Sequence, residues 1–128
     1  MARLKVGVLI SGRGSNLAAL IEACRDKAYP AEIVTVISNK ADAPGLAFAR
    51  DAGIPIVALD HRAFTDRAAF DETIHRHLTS AGVELICLAG YMRLLTDGFI
   101  ARWPDRIVNI HPSLLPAFRG LKYLLGYR

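Results

Sequence analysis

The chain has 128 residues, 52% apolar and 22% charged, and its mean hydropathy of +0.27 excludes an intrinsically disordered polypeptide. That length suits one domain burying a core without disulfide staples, and no apolar run approaches the roughly 20 residues of a membrane span. The net charge is +4, yet residues 1–105 balance at 12 basic and 12 acidic, so the excess comes from Arg106, Arg119, Lys122 and Arg128; an acid-free end, not a basic face, sets the pI near 9.4 and argues against a nucleic-acid partner.

Leu4–Ser11 is a continuous apolar run without a small-residue cleavage site. It reads as a strand buried on both faces and not as a signal peptide. After Gly12–Asn16, the residues Leu17, Leu20, Ile21 and Cys24 recur at helical spacing. Ile33–Ser38 is a second strand. Asp42 is positioned to cap a short helix running to about Arg50, with Gly53 just beyond it. Ile54–Leu59 is a third strand, and Pro55 places it near an edge. Thr65 or Asp66 caps the next helix, whose buried stripe is Phe70, Ile74, Leu78 and Ala81 and which Gly82 ends. Glu84–Ala89 is a fourth strand. Thr96 caps a helix over 97–102, and Arg106–Ile110 is a buried fifth strand. The order predicts an α/β domain: a doubly wound, mostly parallel, Rossmann-type sheet with helices on both faces.

Cys24 and Cys87 are the only cysteines and have no CxxC spacing. Both read as core fillers in a reducing, cytoplasmic compartment. His61, His75 and His77 read as surface residues, and no cluster has metal-ligand spacing, so no metal is expected.

In an open α/β sheet, ligands gather at the carboxyl ends of the strands. Three of those ends are unusual. In Ser11-Gly12-Arg13-Gly14-Ser15-Asn16, two glycines precede a helix N-terminus, an arrangement suited to phosphate. It is neither a P-loop nor a good dinucleotide fingerprint, since Leu17 stands where a third Gly would. The plain alternative is a strand-to-helix turn capped by Ser15 or Asn16. In Ala89–Leu95, apolar residues surround one Arg. They suit a flat aromatic ligand held by backbone groups, or a hydrophobic connection with a solvated Arg93. In Asn109-Ile110-His111-Pro112-Ser113-Leu114-Leu115-Pro116, Asn109 and His111 share a face of the strand. An amide that donates to a developing oxyanion and an imidazole that moves protons suit acyl transfer.

Together with Ser38–Ala43, these segments resemble the phosphoribosylglycinamide formyltransferase family over about Leu4 to Leu121. The Asn-x-His-x-Ser-Leu-Leu-Pro segment is shared with other formyl-folate enzymes, among them methionyl-tRNA formyltransferase and formyltetrahydrofolate deformylase. The resemblance implies that Gly14, Ser15 and Asn16 bind the substrate phosphate. It implies that Met92, Arg93, Leu94 and Leu95, with Asn109, line the site of the co-substrate 10-formyltetrahydrofolate, and that Arg67 lies near the folate tail. Asn109 and His111 would be catalytic. The partners implied are small molecules, with no membrane.

The family's chain is longer, and its catalytic Asp lies beyond residue 128. The sequence is therefore expected to comprise an N-terminal catalytic region, 1–121, and a non-matching tail, 122–128. Such a chain should be feebly active and self-associate through the sheet region near its end. The alternatives are a deformylase or other formyl-folate enzyme, or a non-catalytic ligand-binding fragment.

Overall fold

A computed structural model describes residues 3–110 of the chain. Five strands form one sheet: β1 (Leu4–Ile10), β2 (Ala31–Ser38), β3 (Ile56–Ala58), β4 (Leu85–Leu88) and β5 (Ile107–Asn109). All pairings are parallel, in the order β3-β2-β1-β4-β5. Helices α1 (Ser15–Cys24), α2 (Leu46–Asp51), α3 (Arg67–Ser80) and α4 (Asp97–Ala101) connect them.

Alternation along the strands builds two cores. Val6, Val8 and Ile10 of β1 pack with Leu17, Leu20 and Ile21 of α1 and with Leu46 and Ala49 of α2. Leu9 joins Phe70, Ile74 and Leu78 of α3 and Phe99 beyond β4. Because β1 is buried on both faces from Val6 to Ile10, that stretch is an unbroken apolar run, and Lys5 before it is exposed. Gly7 lies within it because a Cβ there would sit 2.7 Å from Leu78 Cδ2 and 2.8 Å from Val83 Cγ2. The missing side chain lets α3 press onto the central strand.

The doubly wound parallel fold is as expected, and the local details differ at definite places. Pro55 shortens β3, which lies at the edge of the sheet. Asp66 and Thr96 cap α3 and α4, accepting from Ala69 N–H at 2.7 Å and Phe99 N–H at 3.2 Å. Asp42 does not cap α2. That helix starts four residues later at Leu46, after a turn in which Ala43 N–H bonds to Lys40 O and Leu46 N–H to Ala43 O. Pro44 lacks an N–H and fits this tight turn better than the interior of a longer helix. A single 3₁₀ turn, His61–Ala63, was not anticipated; Asp60 caps it through Arg62 N–H.

β5 is not buried. Ile107 and Val108 are half-buried, Asn109 is exposed, and among the described residues β5 pairs only with β4. Of the region expected to self-associate, β5 is described, and the tail lies outside the described residues. Cys87 is buried and Cys24 half-buried, and both are free thiols. Burial pushes Cys24 up to about 11 and Cys87 up to about 12, so neither is a ready nucleophile.

The three histidines at 61, 75 and 77 are half-buried, not surface groups. His61 Nδ1 lies 3.1 Å from Asn39 O. His75 Nδ1 accepts the indole N–H of Trp103 at 3.1 Å, which requires that nitrogen to be unprotonated. Burial first, and then the positive charge of Arg102, hold His75 below the ordinary imidazole value. A depressed value means the unfolded chain takes up the proton first. The stability this neutral ring contributes is complete above the unfolded value of about 6.5 and is lost as pH falls through the folded value. Between pH 7.5 and 5.5 the protein should therefore lose melting temperature, with a change in Trp103 fluorescence. His75→Gln, which keeps an acceptor and cannot titrate, should lose less. Parallel losses in the two proteins would disprove the assignment.

Candidate functional site at the carboxyl ends of the strands

β1 is the point where the winding reverses: β2 and β3 lie to one side of it and β4 and β5 to the other. The crevice above such a switch point is where open α/β sheets take ligands. Here it is bounded by the segments that follow β1, β2 and β4 and by the end of β5.

The turn after β1 is built by glycine. Gly14 has φ +80°, and its Cβ position would lie 2.5 Å from Gly45 Cα. Gly45 is its counterpart, with a Cβ position 2.8 Å from Gly14 Cα, and Gly45 N–H donates to Gly12 O at 2.9 Å. Two backbones thus touch where no side chain fits, and the start of α2 braces the start of α1. Neither Ser15 nor Asn16 caps α1. Gly14 occupies the cap position without a side-chain bond, and the first helical bond runs from Ala18 N–H to Gly14 O at 2.8 Å. The N–H groups of Ser15, Asn16 and Leu17 precede that bond, at the positive end of the helix dipole. Ser15 is exposed. The Asn16 side chain reaches across and donates to Ile110 O at 3.1 Å, tying this turn to the end of β5.

Ser11 joins three of the four segments. It is 2% exposed; its Oγ donates to Asn39 Oδ1 at 2.6 Å and accepts Met92 N–H at 2.7 Å. One hydroxyl thereby spans the segments after β2, β1 and β4. In the segment after β4, Met92 and Leu94 are 79% and 76% exposed, so their apolar side chains are open to a ligand. Arg93 is not a solvated side chain. It is half-buried, with Cζ 4.9 Å from the centre of the Phe70 ring. Arg67 Nη2 donates to Leu94 O at 2.8 Å, so in this structure it holds the segment from α3.

Asn109 ends β5 beside Leu88 of β4 and is exposed. His111 lies outside the described residues. The site as described therefore brings together Gly14–Asn16, Met92–Leu95, Arg67 and Asn109 along one rim. The sequence reading missed Ser11, Asn39 and Gly45 as its internal fastenings. Among the described residues, no group of three or more His, Cys, Asp or Glu side chains is arranged to hold a metal ion, and no helix is long and apolar enough to cross a membrane.

Comparison with known proteins gives a consistent result. The sequence model of the formyl transferase family matches residues 4–124. A trifunctional purine biosynthetic protein adenosine-3 from Drosophila pseudoobscura pseudoobscura is 55% identical over 121 residues, covering 93% of this chain and 9% of that protein. The phosphoribosylglycinamide formyltransferase of Haemophilus influenzae is 49% identical over 117 residues, covering 91% of this chain and 55% of its own. The crystal structure of the Brucella melitensis phosphoribosylglycinamide formyltransferase superimposes with a TM-score of 0.83 at 46% identity, over 98% of this chain and 67% of that one. The chain thus spans about half the length of the single-enzyme curated relative and about a tenth of the trifunctional one.

Proposed function

The chain belongs to the formyl transferase family, and from that premise we propose that it takes part in folate-dependent formyl transfer from 10-formyltetrahydrofolate to the amine of glycinamide ribonucleotide, a step of purine biosynthesis in the cytoplasm. The observation that carries this reading is the bond from Met92 N–H to Ser11 Oγ, 2.7 Å long, which sets a helix N-terminus fit for phosphate beside an apolar segment fit for a flat ring.

In this reading Gly14, Ser15 and Asn16 offer backbone N–H groups to the ribonucleotide phosphate. Met92–Leu95 hold the pterin through backbone groups, and Arg67 stands near the folate tail. The substrate amine attacks the formyl carbon, and the carbonyl oxygen takes up the negative charge. Asn109 donates an N–H to that oxygen, and protonated His111 stabilises it. Collapse breaks the bond to the folate nitrogen, which takes a proton as the amine loses one. Residues 1–121 would supply this region; the family match runs to residue 124.

Calorimetric titration with each substrate, followed by a transformylation assay, tests the reading. Binding of both ligands and feeble formyl transfer to the ribonucleotide are expected. Formate release without ribonucleotide would instead identify a deformylase. Binding of both without turnover would identify a ligand-binding fragment, and binding of neither would refute the reading.

A further inference from the structure

Asp71 is an acidic residue on the buried side of α3, between Phe70 and Ile74, and is 2% exposed. Its Oδ2 accepts Thr96 N–H at 2.8 Å, and among the described residues its Oδ1 has no hydrogen-bond partner. Burying a carboxylate is costly, and one amide bond does not offset it. An apolar side chain would serve the core of α3 better, so the useful consequence of Asp71 must lie in what that bond holds.

It holds the far end of the segment after β4. That segment has no helix or strand of its own between Gly90 and Thr96. Side chains fasten it at three backbone groups. Ser11 Oγ takes Met92 N–H, Arg67 Nη2 takes Leu94 O, and Asp71 Oδ2 takes Thr96 N–H. Thr96 also caps α4, so the Asp71 bond fixes the end of the segment and the start of a helix at once. The neighbouring polar groups belong to the same unit. The Tyr91 hydroxyl and Arg93 Nε are buried without hydrogen-bond partners among the described residues, and the charge of Asp71 helps to push the Tyr91 phenol up, after burial itself. Arg93 and Arg67 act on that phenol in the opposite direction.

We infer that Asp71 is a positioning residue: by fixing Thr96 N–H it sets the backbone of Met92–Leu95 in the form that receives the ring of the folate co-substrate. The inference rests on the reading of that segment as the pterin site. It separates from that reading because the hold on Thr96 can be measured without ligand.

The test compares Asp71→Leu, which fills the space and cannot accept a bond, with Asp71→Asn, whose carbonyl still can. Binding of 10-formyltetrahydrofolate should weaken roughly tenfold or more in Asp71→Leu, while ribonucleotide binding stays within about twofold. Hydrogen exchange at Thr96 N–H should accelerate by about tenfold in the same protein. Asp71→Asn should stay within about threefold of the parent in all three measurements, showing that the acceptor matters more than the bulk. Equal weakening of both ligands in folded Asp71→Leu would overturn the inference, as would unchanged folate binding or unchanged Thr96 exchange. Loss of folding in Asp71→Leu leaves Asp71→Asn decisive: folate binding weakened well beyond about threefold, or Thr96 exchange as fast as in an unprotected loop, would overturn it. If the unsubstituted chain binds no 10-formyltetrahydrofolate, the functional reading fails, and the ligand half of this inference fails with it; the exchange data then judge the hold on Thr96 alone.

Discussion

Gly14→Ala should lower the melting temperature by on the order of 10 °C and weaken ribonucleotide binding, with folate binding spared. Two effects add. At φ +80° an L side chain is strained, by about 1–2 kcal/mol. The new methyl also lands 2.5 Å from Gly45 Cα, a backbone atom that cannot rotate away, and forced shifts of this kind cost roughly 1–3 kcal/mol. The sum, roughly 2–5 kcal/mol, is a large part of a domain's stability. Relief requires α1 and α2 to part at their N-terminal ends, which moves the N–H groups of Ser15 and Asn16 away from the phosphate they are proposed to bind. Gly12→Ala is the internal control, since a Cβ there meets nothing within 4 Å and its φ is not in the left-handed region. A melting temperature unchanged in Gly14→Ala, or lowered equally in both variants, would refute the bracing role. Equal loss of both ligands would refute the assignment of this turn to the phosphate.

In a full-length form of the enzyme, Asn109→Ala should reduce kcat by about a hundredfold or more, the usual consequence of removing one oxyanion donor, worth about 2.7–4 kcal/mol of barrier. The residue is exposed at the end of β5, so its truncation leaves no cavity and melting should not change. The loss should therefore fall on kcat, with substrate binding little altered. Turnover within a few-fold of the parent, as measured by formyl transfer to the ribonucleotide, would remove Asn109 from the chemistry.

The parts of this molecule that could be read from sequence are those governed by period. The stripe Leu17, Leu20, Ile21 and the stripe Phe70, Ile74, Leu78 are buried as spaced, and the apolar run of β1 from Val6 to Ile10 is a strand covered on both faces. The glycines of the first turn were legible as a backbone that must approach something closely. What they approach was not, because Gly45 is thirty-one residues away and its pattern looks like any turn. The fastenings of the site escaped for the same reason: Ser11 and Met92 are 81 positions apart, and no local rule joins a serine hydroxyl to a distant amide. Asp71 left a faint trace. It stands at 71, 74 and 78 spacing with Ile74 and Leu78, an acid within an apolar stripe, and a carboxylate in such a place needs a partner. His75 left none, since its bond to Trp103 depends on how α4 is laid against α3.

The position of β1 in the sheet bears on how the protein is made. Val6 pairs with Ile33, within reach of a short nascent chain, but it also pairs with Leu85. During synthesis the first strand leaves the ribosome long before its second neighbour, so one edge of the future centre stays unpaired while nearly eighty further residues are added. At about 5–20 residues per second that interval lasts several seconds. Throughout it, Leu9 and Ile37 lack the cover that α3 and β4 later provide. Both proposed ligand segments acquire their relative placement only when β4 docks, so a ribosome-bound chain halted before residue 85 should hold neither ligand and should be a good client for a chaperone that recognises exposed aliphatic strands.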